Sequence, residues 1–149
     1  MKILILHGPN LNLLGEREPE IYGKLTLDEL NKKIETWGKE LMIIPEIRQS
    51  NHEGNLIDWI HESRLWASGI VLNPGAYTHT SYALRDAVSA VKIPTIEVHL
   101  TNIYSREQFR HKSVLSGVCL GQISGFGEFS YYLALAALKE RGLRRLTVV

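Results

Sequence analysis

Lys2-Ile3-Leu4-Ile5-Leu6 runs directly into His7-Gly8-Pro9-Asn10-Leu11-Asn12-Leu13-Leu14-Gly15-Glu16-Arg17-Glu18-Pro19-Glu20-Ile21-Tyr22-Gly23. The first five residues are a short apolar run and predict a buried strand. The connection after them is far longer than an ordinary strand-to-helix loop, which has about two to six residues. Glycines at 8, 15 and 23 and prolines at 9 and 19 set its bends. A long, glycine-hinged loop at the carboxyl end of a first strand predicts a lid, here about residues 15–23. This lid carries Arg17 and Tyr22, a cation and a phenol close enough in sequence to meet. Such a pairing lowers the pKa of a tyrosine.

Downstream, strand and helix patterns alternate. Thr26-Leu27-Asp28-Glu29 is a capping box, with Leu25 and Leu30 placed to form its hydrophobic staple. Leu27, Leu30, Ile34, Trp37 and Leu41 follow at helical spacing. Met42-Ile43-Ile44 with Ile47 predicts a second strand interrupted at Pro45, and Leu56, Ile57, Trp59, Ile60 and Leu65 predict a second helix. Gly69 to Asn73 is a third strand stopped by Pro74-Gly75, and Ala83, Leu84, Ala87, Val88 and Val91 mark a third helix. Pro94 to Val98 and Gly117 to Ile123 are two further strands. Tyr131 to Leu138 is a last helix ending near Gly142, and Leu143 to Val149 is a tail with no assignment. Buried strands alternating with helices indicate a parallel sheet covered on both faces. About five strands favour a single α/β domain over 1–149, a doubly wound flavodoxin-like sheet rather than an eight-stranded barrel.

Composition bounds the partners. The 149 residues suit one domain, and 17 Lys plus Arg nearly balance 16 Asp plus Glu. This gives no electrostatic case for nucleic acid or an anionic membrane surface. No apolar stretch reaches membrane-spanning length, so a cytoplasmic protein is the expectation. The single cysteine, Cys119, excludes an internal disulfide and lies in an apolar run that predicts an inert, buried thiol.

Doubly wound sheets bind ligands at the carboxyl ends of their strands. Asn10 and the lid follow the first strand, Asn73 to Thr80 follows the third, and Glu97 to Asn102 ends the fourth, with Arg106 and Arg110 beyond. Glu97 and His99 point to one face of a strand. A carboxylate beside an imidazole raises its pKa and fixes its orientation, making His99 a candidate general acid.

Five segments, GPNLNLLGEREPEIYG, NHEGNLIDWIH, NPGAYTHTSYALRDA, IEVHLTNIYSREQFRHKS and GQISGFG, resemble the type II 3-dehydroquinate dehydratases in order and through nearly the whole chain. The resemblance implies a flavodoxin-like hydro-lyase of the shikimate pathway. It would convert 3-dehydroquinate reversibly to 3-dehydroshikimate by anti elimination through an enolate, without cofactor, metal or Schiff base, as a homododecamer of four trimers. It implies Tyr22 as the base, Arg17 as its lid cation and Asn10 as the residue orienting a water against the enolate oxygen. It further implies His99 as the general acid with Glu97 as its partner. Asn73, His79 and Arg110 match positions that hold the substrate's hydroxyls and neighbouring groups. Backbone at Leu100 and Thr101 matches the grip on its carboxylate, Arg106 a lid-side helper, and Asp86 a residue lent to a neighbouring subunit. Glu16, Tyr104 and Ser130 depart from the pattern.

Two rival readings have weaker support. A nucleotide or flavin module lacks G-x-G-x-x-G and G-x-x-x-x-G-K-[ST], and Pro9 removes an N–H that a phosphate cradle needs. A metal hydrolase built on His79, Glu97, His99 and His111 lacks H-E-x-x-H.

Overall fold

The computed structural model describes residues 1–147. Five strands, β1 (Lys2–His7), β2 (Ile44–Gln49), β3 (Gly69–Asn73), β4 (Thr95–His99) and β5 (Gly121–Ser124), form one sheet in which every neighbouring pair is parallel. Their spatial order is β2-β1-β3-β4-β5. The winding reverses between β1 and β3, where such sheets open a crevice at the carboxyl ends of their strands. The expected doubly wound α/β architecture is the one observed.

The helices are α1 (Pro19–Tyr22), α2 (Leu27–Leu41), α3 (Glu53–Ser63), α4 (Tyr82–Val91) and α5 (Phe129–Thr147). Side chains alternate across the sheet and divide the core in two. Ile3, Ile5, Val71, Ile96 and Val98 pack with Leu30 and Ile34 of α2 and Tyr131, Leu135 and Leu138 of α5. Leu4, Leu6, Ile70 and Leu72 pack with Leu56 and Ile60 of α3 and Leu84 and Val88 of α4. Each fully buried aliphatic side chain contributes roughly 1.5–3 kcal/mol, so both faces hold the sheet. The α2 start is capped as the sequence predicts. Glu29 N–H donates to Thr26 Oγ1 at 3.2 Å, and Thr26 N–H donates to Glu29 Oε2 at 2.9 Å. Leu25 packs against the cluster that contains Leu30.

Boundaries differ where turn chemistry competes with apolar pattern. β2 starts at Ile44, because Met42 closes α2 in the left-handed conformation (φ 57°) and is exposed. It also runs through Pro45. Ile44 N–H donates to Met1 O at 2.9 Å, so the Pro45 nitrogen points away from β1, which an edge strand tolerates. α3 ends at Ser63, leaving Leu65 exposed outside it. The fifth strand is shorter than its apolar run, because Ser116–Val118 winds into a 3-10 turn. α5 starts two residues early and continues past Gly142 to Thr147, so the unassigned tail is helical there; residues 148–149 lie outside the described residues.

Beyond the sheet, Gly8 N–H donates to Asn73 O at 2.7 Å, tying the first loop to the third strand's end. A Cβ at Gly8 would lie 2.7 Å from both the carbonyl carbon and oxygen of Pro74, so only glycine permits this approach. Among the described residues, no helix is long and apolar enough to cross a membrane.

Candidate active site

The segments that follow β1, β3 and β4 converge on one cleft. Asn10 lines it from a left-handed backbone conformation (φ 69°). That bend is held from outside: Asn10 N–H donates to Asn51 Oδ1 at 2.9 Å, Gln49 Nε2 donates to the same oxygen at 3.1 Å, and Tyr77 hydroxyl donates to Asn51 O at 3.0 Å.

Arg17 and Tyr22 form the cleft's other wall, with Tyr22 at the end of α1, a single turn begun by Pro19. Tyr22 lies between two guanidinium groups. Arg17 Cζ is 5.2 Å from the ring centroid and Arg106 Cζ 5.1 Å from it. The closer polar contact comes from Arg106, whose Nη1 donates to the Tyr22 hydroxyl at 2.6 Å. Arg17 lies over the ring, while the arginine in the turn after β4 reaches the oxygen. That turn is braced in its own right, since His111 Nε2–H donates to Arg106 O at 3.0 Å.

Opposite stands a buried acid–imidazole pair. His99 Nε2 approaches Glu97 Oε1 at 2.6 Å, and Glu97 is fully buried beneath it. Thr78 hydroxyl also donates to Glu97 Oε1, and Ser113 hydroxyl donates to Oε2 at 2.8 Å. Burial alone pushes the Glu97 carboxyl up. The hydrogen bond and charge of His99, with the two hydroxyls, outweigh it and hold the group below the usual carboxylate range. Because Nε2 is committed to Glu97, Nδ1 is the His99 nitrogen left for chemistry in the cleft.

His79 Nδ1 donates to Lys112 O at 2.8 Å, which leaves Nε2 as an acceptor. Asn73 lines the cleft with its Oδ1 accepting from Gly75 N–H at 3.2 Å. Arg110 lines it while paired through Nε to Glu107. Leu100 and Thr101 line it in the turn immediately after β4.

Two sequence-predicted residues stand apart. Glu97 is behind His99 rather than in the cleft, and Asp86 is exposed on α4 away from it. The sequence reading missed Asn51, Gln49, Thr78 and Ser113 as supports of the site and weighed His111 only as a metal ligand. Asn51, Thr78, Ser113 and His111 fall inside quoted segments, but partners up to 41 residues apart are not legible from spacing. Ser130, a departure from the family pattern, is fully buried and donates to His99 O at 3.3 Å, anchoring the end of β4. Cys119 is part-buried, and burial pushes its thiol up to about 12, an inert state. No three His, Cys, Asp or Glu side chains converge as a metal site among the described residues. His79, His99 and His111 are instead engaged with Lys112 O, Glu97 and Arg106 O.

The family model for class II dehydroquinase matches residues 1–139. The chain is 61% identical over 138 residues to a 3-dehydroquinate dehydratase of Dictyoglomus turgidum, covering 93% of this chain and 95% of that one. It is 60% identical over 144 residues to one of Gloeothece citriformis, covering 97% and 94%. Its fold superposes on the crystal structure of type II dehydroquinase from Butyrivibrio crossotus with a TM-score of 0.91, at 51% identity, covering 93% of this chain and 97% of the other. With the family model, the sequence identity and the superposed fold in agreement, the chain belongs to the type II dehydroquinase family.

Proposed function

We propose that this cleft removes water from 3-dehydroquinate to give 3-dehydroshikimate by anti elimination through an enolate. The observation that carries the reading is the Tyr22 hydroxyl, hydrogen-bonded by Arg106 at 2.6 Å and flanked by Arg17, in the same cleft as the Glu97–His99 pair. Two guanidinium groups lie beside the position where a phenolate's charge would sit. As phenolate, Tyr22 takes the proton from the carbon next to the ketone. The electron pair moves onto the carbonyl oxygen, and the enolate is met by a water that Asn10 orients. The enolate then collapses and breaks the bond from the neighbouring carbon to its hydroxyl. That hydroxyl leaves as water with a proton from His99 Nδ1. Glu97 holds the ring by Nε2 so that Nδ1 faces the leaving group. Tyr22 ends protonated and His99 neutral, so one proton returns through solvent to restore the site.

Recognition follows from the same geometry. The His79 Nε2 lone pair accepts from a ring hydroxyl, and Asn73 and Arg110 donate to others. The substrate carboxylate rests on backbone N–H groups at Leu100 and Thr101, next to the positive charges of Arg17 and Arg106. The lid of residues 15–23 shuts over the bound ring. Asp86 completes the site of a neighbouring subunit in a homododecamer built from trimers. No cofactor enters any step.

Adding 3-dehydroquinate to the purified protein tests the reading, since the conjugated enone product absorbs in the near ultraviolet. Tyr22→Phe deletes one hydroxyl and is expected to lower kcat on the order of 10³-fold with the fold retained. Near-normal turnover in that variant overturns Tyr22 as the base.

A further inference from the structure

Behind the cleft lies a buried polar chain that the proposed chemistry does not use. His7 and Tyr131 are fully buried, their rings 5.3 Å apart between the sheet and α5, and Asn73 is nearly so. His7 Nε2 is 2.9 Å from Asn31 Oδ1, and His7 Nδ1 is 2.9 Å from the Tyr131 hydroxyl. Asn73 Nδ2 donates to that hydroxyl at 3.1 Å.

The direction of every bond follows from one unambiguous group. The Gly75 backbone N–H can only donate, and its acceptor is the Asn73 side chain. The atom it meets is therefore Oδ1, so the other end of the amide, Nδ2, faces Tyr131. The tyrosine oxygen accepts there, and its own hydrogen has His7 Nδ1 as its remaining partner among the described residues. Nδ1 must then be bare, and the neutral ring carries its hydrogen on Nε2. That hydrogen meets Asn31 Oδ1, an acceptor. The five groups form a one-way sequence of donors and acceptors with no conflict.

Reversing the His7 or Tyr131 member forces two donors or two acceptors together, or strands a hydrogen, where both side chains are fully buried. Burial independently favours the neutral ring, taking His7 down to about 4. We propose that Asn31, His7 and Tyr131 form a chain that, together with Gly75 N–H, fixes which end of the Asn73 amide faces the cleft, making His7 and Tyr131 positioning residues for ligand binding. The chain leaves Asn73 one N–H and one Oδ1 lone pair uncommitted. Without it, Gly75 N–H alone holds the amide, and the Nδ2 end loses the buried acceptor that fixes where the donor sits. This inference rests on the proposed role of Asn73 in holding the substrate.

Neutron diffraction on the wild-type enzyme in heavy water reads the chain directly. Deuterium is expected on His7 Nε2, with the Tyr131 deuteron directed at Nδ1; deuterium on His7 Nδ1 overturns the proposal. In steady-state kinetics, Tyr131→Phe is expected to raise KM for 3-dehydroquinate about tenfold and change kcat less than about threefold. In an Asn73→Ala background the same change is expected to add nothing, because the group it positions is gone. An equal KM rise in both backgrounds overturns the proposal. His7→Asn, which retains an acceptor near the Nδ1 position, is expected to keep KM closer to wild type than His7→Leu; equal KM values overturn it. A wild-type protein that leaves 3-dehydroquinate unchanged overturns the functional reading alone. The deuteron positions are read without turnover and decide the chain by themselves.

Discussion

At the scale of single residues, the cleft depends on cations placed around one phenol. Arg17 and Tyr22 are five positions apart, and their proximity is legible in the sequence. The partner that donates to the Tyr22 oxygen, Arg106, is legible only as the lid-side helper that the resemblance implies, because its spacing does not show that its turn folds back to Tyr22. Arg106→Ala is expected to lower kcat on the order of 100-fold, since a hydrogen bond to a charged group contributes about 1.5–3 kcal/mol. Arg106→Lys, with a point charge and no planar fork, is expected to restore only part of it. A stopped assay of enone absorbance at saturating substrate measures both. His7 gives a second residue-scale outcome. It is fully buried and its folded-state pKa is lowered to about 4, against an ordinary value of 6.5. The unfolded chain therefore binds a proton that the folded chain refuses between these values. Its stabilising contribution is full above about pH 6.5 and is lost as pH falls toward about 4, worth roughly 3 kcal/mol by linkage. Urea midpoints measured from pH 7 to pH 4 are expected to fall, and to fall less in His7→Asn.

At the scale of elements, β3 was readable to the residue. Five apolar-to-polar positions are framed by Gly69 and by a Pro74-Gly75 stop, and nothing competes with them. The α2 cap was equally legible, because a capping box is a local interaction. β2 and β5 were misplaced for opposite reasons. Met42 is apolar but serves as a left-handed helix end, and Gly117 to Cys119 extends an apolar run that turns before pairing. Gly142 did not stop α5, since one helical glycine costs only about 1 kcal/mol. The loop between β1 and the lid depends on a contact the sequence hides, that of Gly8 with Pro74. Gly8→Ala is expected to part the ends of β1 and β3, destabilise by about 1–3 kcal/mol in denaturant melts, and raise KM by moving Asn10 and Asn73 together.

At the scale of the whole molecule, the site is assembled from loops at one end of the sheet, and this much follows from topology. Strand count, parallel pairing and the crevice position were all readable from alternating patterns. The buried supports of the site were not, because Thr78, Ser113 and Tyr131 act through contacts between distant segments. Asp86 has no place in the cleft of its own chain, and Tyr82 beside it on α4 is largely exposed. Light scattering is expected to return the mass of twelve chains, and Asp86→Ala is expected to lower kcat/KM about tenfold or more without altering the fold of the single chain. A monomeric, fully active protein contradicts the assembly.

The phenol's two cations reach it by different routes. Arg17 travels on the same flap as Tyr22, whereas Arg106 waits 84 residues further along the chain. In the proposed mechanism, seating the flap and completing the tyrosine's surroundings become a single event. A ketone too bulky to let the flap settle still enters, yet it meets only a half-prepared acid–base group. On that mechanism, selectivity against oversized molecules arises from withheld reactivity, and the enolate forms only once bulk water is shut out.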